Sequence, residues 1–420
     1  MKKRVLVLNC GTLASTDINM SLRYNDEFEI WGASTNKNHG EYVYEKYIDD
    51  IPNISNEKFI EVLNKKIEEY NFKFIIAPHE DLAVFLQEHK NEIKAIIVCS
   101  EYETALLCRY KSKTYEKMKD YDFIPKTFRK AEVKEYPVFV KKDNDQGERH
   151  AYKVETREEL NLYASSNDMI ICEYLPGEEV TIDCFTNKDG KLLYCNPRAA
   201  DRMLSGIDVH ARRIELSDEI KYIAESLNKE INFRGFWFFQ IKKDINGKFK
   251  LLEIATRLAG AFALNKSLDV NLPLMALKDF DGQDVEILFN DIKVEVDKQF
   301  FSKFLMDIEY EEVYIDFESC FENIKIINTL LIMYIYQCVN KNKKITLVTD
   351  DENIDLLLEE KKINKNVFSK IIKFTNLKES INNKAIFISN NENLKNKLRK
   401  EKNIYCFSTN SVEALIDWKA

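Results

Sequence analysis

Short hydrophobic runs bounded by polar or glycine-rich breaks recur along the first hundred positions, the pattern of strands buried on both faces. Arg4-Val5-Leu6-Val7-Leu8 leads into Asn9-Cys10-Gly11, and residues 29–33, 74–78 and 95–99 repeat the signal with helical segments between them. Residues 1–105 therefore read as a small doubly wound α/β domain. Beyond it the pattern turns to alternation. In Tyr136-Pro137-Val138-Phe139-Val140-Lys141 the lysine faces the same way as Phe139, toward an interior, and so calls for an anion. Residues 169–183 read as a strand, a Pro176-Gly177 turn and a second strand.

The stretch from Arg234 to Gly260 carries the sharpest pattern, two apolar runs flanking Asn246-Gly247. That dipeptide predicts a two-residue hairpin turn. Its register pairs Ile245 with Lys248 and Lys242 with Leu251, and sets Gln240 opposite Glu253. Phe236, Phe238, Gln240, Leu251, Glu253, Ala255 and Arg257 then share one face, and Trp237, Phe239, Ile241, Leu252 and Ile254 take the other. Opposed Cβ atoms lie roughly 4.5–5.5 Å apart, near enough for an amide oxygen and a carboxylate to grip one hard cation. A polar pair on a wet sheet face is the plainer alternative. A carboxylate between Leu252 and Ile254, however, is costly to bury unless a cation accompanies it.

From residue 291 the composition shifts to Lys, Asn, Ile and Glu, and strand signals at 312–321, 344–350 and 384–391 predict a further α/β unit. The apolar run at 326–339, interrupted by Asn328 and Gln337, is too short to span a bilayer and reads as a buried helix. A length of 420 residues suggests two to four domains, and 45% hydrophobic with 31% charged residues is globular. A net charge of −8 argues against a nucleic-acid or anionic-membrane surface. Nine scattered cysteines without CxxC spacing suit a reducing cytoplasm better than a disulfide framework, and the amino terminus shows no signal-peptide pattern. Pro78-His79-Glu80-Asp81 ends a strand, where open α/β sheets bind ligands, although acids at a helix start are also expected from the dipole.

LLEIATRLAG, residues 251–260, resembles the "LEINPR" segment of ATP-grasp ligases, and Gln240 stands at the family's first metal ligand. The resemblance implies a two-lobed ATP-grasp fold over residues 106–290, with a small lobe at about 120–175, behind an N-terminal pre-ATP-grasp domain. It makes Gln240 and Glu253 ligands of Mg²⁺ and Arg257 the cation that stabilises phosphoryl transfer. The family's Asn is Ala255 here, which weakens a second Mg²⁺ site. Lys111 aligns with a phosphate-approaching lysine, with Lys113 as a near alternative, and Lys141 serves the same nucleotide. Residues 143–154 resemble the phosphate lid, of whose glycines only Gly147 remains, with Arg149 able to take over phosphate contacts. Residues 169–183 resemble the linker between the lobes, which implies adenine contacts at Glu173, Tyr174 and Leu175 and a ribose contact at Glu179. Arg198 and Arg202 are candidates for clamping an anionic substrate, in competition with Arg212 and Arg213.

Residues 291–308 are then a linker, and residues 309–420 resemble a haloacid-dehalogenase-like domain. Asp316 and Thr349 fit that family's nucleophile and phosphate-binding hydroxyl. Glu318, Cys320 and Ser389-Asn390-Asn391 depart from its acid/base, Thr and metal-ligand positions, which implies a degenerate domain kept for binding or assembly. Together the resemblances imply an ATP-dependent ligase joining a small-molecule carboxylate to an amine, with a homo-oligomer compatible with the sequence. A nucleotide-binding protein without turnover is the alternative reading, and a phosphatase with an accessory ATP-grasp region the third.

Overall fold

The computed structural model describes residues 2–145, 150–204, 207–299, 302–304, 306–322 and 326–419. They divide into two compact units, residues 1–300 and 301–420.

The first unit opens with a parallel sheet of five strands, Lys3–Leu8, Phe28–Ala33, Lys46–Ile48, Phe72–Ile76 and Ile96–Ile97. Their spatial order is third, second, first, fourth, fifth. The Lys46–Ile48 strand, too short and polar for the hydrophobic pattern to register, was not among the expected strands. Along the central strand Leu6 and Leu8 pack into one apolar cluster while Val5 and Val7 pack into the other. The second of these clusters runs on into Phe236, Leu258, Phe262, Leu268 and Leu277. Residues 1–105, expected from the sequence as an N-terminal domain, share this core with residues 236–277. Asp281 fastens the same junction by pairing with Lys3 and, at 2.5 Å, with Lys73.

A small antiparallel sheet joins Thr127–Phe128, Met169–Glu173, Val138–Lys142 and Ala151–Val154 in that order. Val138 and Val140 face its apolar side, against Leu160. A larger sheet runs Phe249–Ala255, Gly235–Lys243, Glu179–Thr186, Leu192–Leu204, Ile207–Arg213 and Glu295–Asp297. One face holds Trp237, Phe239 and Ile241 against the helix Asp218–Glu230, which begins where Ser217 accepts the Ile220 amide. The last strand pairs His210 with Asp297 and Arg212 with Glu295, so the expected 291–308 linker carries structure at its start.

The second unit is again a five-stranded parallel sheet, Glu312–Asp316, Lys344–Val348, Lys370–Ile372, Ala385–Ile388 and Tyr405–Phe407, in the order third, second, first, fourth, fifth. The helix expected to be buried is Thr329–Asn340, which buries only the face of Leu331, Tyr334, Ile335 and Cys338 and leaves Tyr336 and Val339 exposed, and Asn328 caps it by accepting the Leu330 and Leu331 amides. No described helix is long and apolar enough to cross a membrane.

Candidate active site

The 235–255 hairpin sets Gln240 opposite Glu253, as its sequence pattern requires, but reaches that register by another route. Its loop holds three residues rather than two. Asp244 pairs with Lys248 through the backbone, its carboxylate accepts the Asn246 and Lys248 amides, and Gly247 takes a φ of +79°. The one-residue slip this causes is undone by a bulge at Leu252, because Ile241 pairs with Leu251 and Gln240 with Glu253. The bulge also exchanges the expected faces of two leucines. Leu251 is buried with Trp237, Phe239 and Ile254, whereas Leu252 lines a cleft beside Glu253.

That cleft, about 210 Å³, is lined by residues of both the small and the large sheet. A row of directly paired residues crosses the large sheet on this side, Glu253 to Gln240 to Thr181 to Arg198 to Arg213. Gln240 donates to the hydroxyl of Thr181 at 3.2 Å and to Glu179 at 3.4 Å. Lys141 enters from the small sheet, only 8% exposed, and donates to the Tyr115 hydroxyl at 2.9 Å and to the Leu252 carbonyl at 3.0 Å. Tyr115 donates to the same carbonyl at 2.7 Å, so the bulged residue anchors the lysine. Burial pulls the Lys141 ammonium below its ordinary value.

Lys111, first residue of the helix Lys111–Lys117, places its ammonium 3.0 Å from Glu253 and 2.9 Å from the Asp145 carbonyl. A lysine there opposes the helix dipole, and Asp143 offsets this by accepting the Ser112 amide at 2.7 Å. Burial raises the Glu253 carboxyl, but the charges of Lys111, Lys141 and Arg257 outweigh it and hold the group below its usual range. The Arg257 guanidinium lies 5.0 Å from the Phe238 ring centre and donates to Glu80 at 2.9 Å and to the Leu258 carbonyl at 3.0 Å. Lining the same cleft are Glu173, Tyr174, Leu175 and Glu179. Gly177 lies between Leu175 and Glu179, and any Cβ on it would fall 2.5 Å from the Lys243 Cβ, so the turn between the lobes needs glycine there.

A family model described as "ATP-grasp in the biosynthetic pathway with Ter operon" matches residues 165–300. Among solved structures, N5-carboxyaminoimidazole synthetase from Staphylococcus aureus, complexed with ADP, superposes with a TM-score of 0.58 at 15% identity, over 69% of this chain and 80% of that one. The fold is ATP-grasp. Biotin carboxylase from Campylobacter jejuni, in a complex with β,γ-ATP, superposes at 0.57 with 16% identity, over 68% and 72% of the two chains. L-amino acid ligase from Bacillus licheniformis gives 0.53 with 15% identity, over 66% and 74%. No curated protein sequence matches the chain.

Of the residues singled out for the ATP-grasp site, Lys111, Lys141, Glu173, Tyr174, Leu175, Glu179, Gln240, Glu253 and Arg257 converge on the cleft. Lys113 does not, for its exposed ammonium sits 4.7 Å from the Tyr110 ring centre. Gly147 and Arg149 lie outside the described residues. Arg198 lines the cleft at 1% exposure, its Nε 3.2 Å from Asp183. Arg202 lies away from it, exposed and paired with Asp297, because the strand irregularity at Ala200 to Arg202 changes the facing, so that Met203 lines the cleft instead. Arg212 pairs with Asp201 and Glu178, and Arg213 with Asp291.

The donor set fits one magnesium ion. Gln240 and Glu253 offer an amide oxygen and a carboxylate side by side, which suffices for an ion completed by phosphate oxygens and water. Among the described residues no group of three His, Cys, Asp or Glu side chains could hold a metal by itself. Ala255 packs with Phe238 and Ala259 in a small apolar cluster. Glu80 and Tyr115 escaped the sequence reading as cleft-supporting residues, since nothing local to either announces a partner well over a hundred positions away.

In the second unit Asp316 ends the first strand, accepting the Ser319 amide at 3.1 Å and the Ser389 hydroxyl. Glu318 accepts the Thr349 hydroxyl at 2.7 Å and the Asp350 amide at 2.9 Å. Asn391 caps the helix Glu392–Lys402, and Asn390 bonds Ser319 and Thr409.

Proposed function

We propose that the chain is an ATP-dependent ligase that joins a carboxylate to an amine through an acyl phosphate, releasing ADP and phosphate. The observation that carries the reading is the convergence of Lys111, Lys141 and Arg257 around the Gln240–Glu253 pair in one cleft between two sheets. Two anions must meet in such a reaction, so fixed cations in a poorly solvated site do more than a protein nucleophile would.

The backbone at Glu173 to Leu175 receives adenine, and Glu179 accepts the ribose hydroxyls. Lys111 leaves Glu253 for the phosphates, and Lys141, held from behind by Tyr115 and Leu252, keeps its place beside them. A magnesium ion on Gln240 and Glu253 would supply charge neutralisation on the phosphate oxygens. Arg198 orients the substrate carboxylate, whose oxygen attacks the γ-phosphorus as the bond to ADP breaks. Arg257 stabilises charge on the transferring group. The amine then attacks the acyl carbon and phosphate departs, the amine proton passing to water.

The test is ADP release assayed across panels of carboxylates and amines. Release that appears only with a carboxylate, and orthophosphate in equal amount, is the expected result. Nucleotide binding without release across the panel would establish the second reading, a nucleotide-dependent regulatory or assembly protein, which Ala255 in its apolar cluster favours. Residues 309–420 we read as haloacid-dehalogenase-like and degenerate, supported by the strand order and by Asp316 and Thr349 at neighbouring strand ends. Phosphatase activity lost in Asp316→Asn but kept in Glu253→Gln would favour the third reading instead. Substrates are small molecules rather than nucleic acid or membrane, and nine thiols, eight of them buried, favour the cytoplasm.

A further inference from the structure

We infer that Glu80 is a positioning residue for Arg257, through which the N-terminal sheet sets how strongly the cleft distinguishes a nucleoside triphosphate from a diphosphate. The inference rests on the cleft binding a nucleotide, and it holds whether or not the chain turns over.

Glu80 opens the helix Glu80–Glu88 beyond the fourth strand of the parallel sheet, a place where the helix dipole favours an acid. That alone would leave it a local charge. Its carboxylate, however, is 9% exposed and divided between two arginines from outside its own helix. Oε1 lies 2.9 Å from Nε of Arg257, and Oε2 lies 3.6 Å from Nη1 of Arg109. Arg109 is fixed in turn by Asp81, 2.5 Å from its Nε.

Arg257 is thus held on three sides, by Glu80 at Nε, by the Leu258 carbonyl at Nη1 and by the Phe238 ring below. Arginine loses considerable rotamer freedom when it binds a phosphate, and a side chain already fixed loses less at that moment. Grip through Nε also fixes the plane of the guanidinium, which decides where its terminal donors point. Removing Glu80 would free that plane without touching the adenine, ribose or metal contacts. Only the interaction made by Arg257 should suffer.

Equilibrium binding of MgATP and MgADP to the full chain, followed by calorimetry, tests this without requiring turnover. Wild type should prefer MgATP. Glu80→Ala should weaken MgATP by about 5–20-fold and MgADP by less than about twofold, Arg257→Ala should do the same, and the double variant should be no weaker than either single one. Glu80→Gln, which keeps an acceptor for Nε, should stay within about threefold of wild type for both nucleotides. It also serves if the alanine variant does not fold. A Glu80 with a merely structural role would lower stability and weaken both nucleotides alike, which would overturn the inference, as would additive losses in the double variant. A wild type that binds neither nucleotide overturns the nucleotide reading and this inference with it. One that prefers MgATP yet releases no ADP with any carboxylate overturns the ligase reading alone.

Discussion

The chain builds a five-stranded parallel sheet twice with the same strand order, and the two carboxyl ends treat their acids in opposite ways. In the first unit, Glu80 reaches away from its sheet to Arg257, beside a cleft where Glu253 faces Lys111 across 3.0 Å. In the second, Asp316 and Glu318 accept from Ser319, Ser389, Thr349 and Asp350, all neighbours on the same sheet end. Ion pairs between separate elements can be exchanged for pairs with a ligand, because a phosphate offers a lysine the charge that a carboxylate did. Asp316, with one oxygen accepting an amide and the other a hydroxyl of its own loops, has little to gain from such an exchange.

Two variants bear on that contrast. Glu253→Gln should cost about 10³-fold in carboxylate-dependent ADP release, since one charged group in the reacting site goes; a loss below about tenfold in a steady-state assay would put the chemistry elsewhere. Asp316→Asn should do the reverse, leaving ADP release within about twofold while lowering the denaturant stability of the second unit by about 1–3 kcal/mol. Loss of ligase turnover in that variant would mean that the second sheet end takes part after all.

The smallest effect concerns the junction in the first unit. Burial raises the Asp281 carboxyl, but Lys3, Lys73 and Gln283 together bring it down to about 2. Its folded value lies below its unfolded one, so the contribution is complete above the unfolded value and fades as pH falls from about 4 toward 2. Asp281→Asn should therefore destabilise the first unit by roughly 1–2 kcal/mol at neutral pH and flatten this acid limb, read by denaturant titration at several pH values.

Local pattern carried much of the fold into view. Alternation placed Lys141 with Phe139 on the cleft side, and the hairpin pattern paired Gln240 with Glu253. The pairing came out right because two departures cancel, the three-residue loop and the bulge at Leu252, and neither leaves a trace in hydrophobicity. The bulge matters for the site, because the ladder would otherwise occupy the carbonyl that holds Lys141 and Tyr115. What stayed hidden was contact at long range. Glu80 reads as an ordinary helix start, and only packing of the first sheet against residues 258–277 brings it to Arg257. Arg202, one strand irregularity beyond Arg198, shows how quickly facing is lost where a ladder slips.

The short strand Glu295–Asp297 has a practical consequence. It covers Ile207–Arg213, with Lys298 donating its amide to the Val209 carbonyl at 2.7 Å. A truncation at residue 290 would strip that cover and leave a row of unsatisfied peptide groups on an edge, a template for self-association. Fragments made to study nucleotide binding alone should therefore run through residue 299, past the strand rather than up to it.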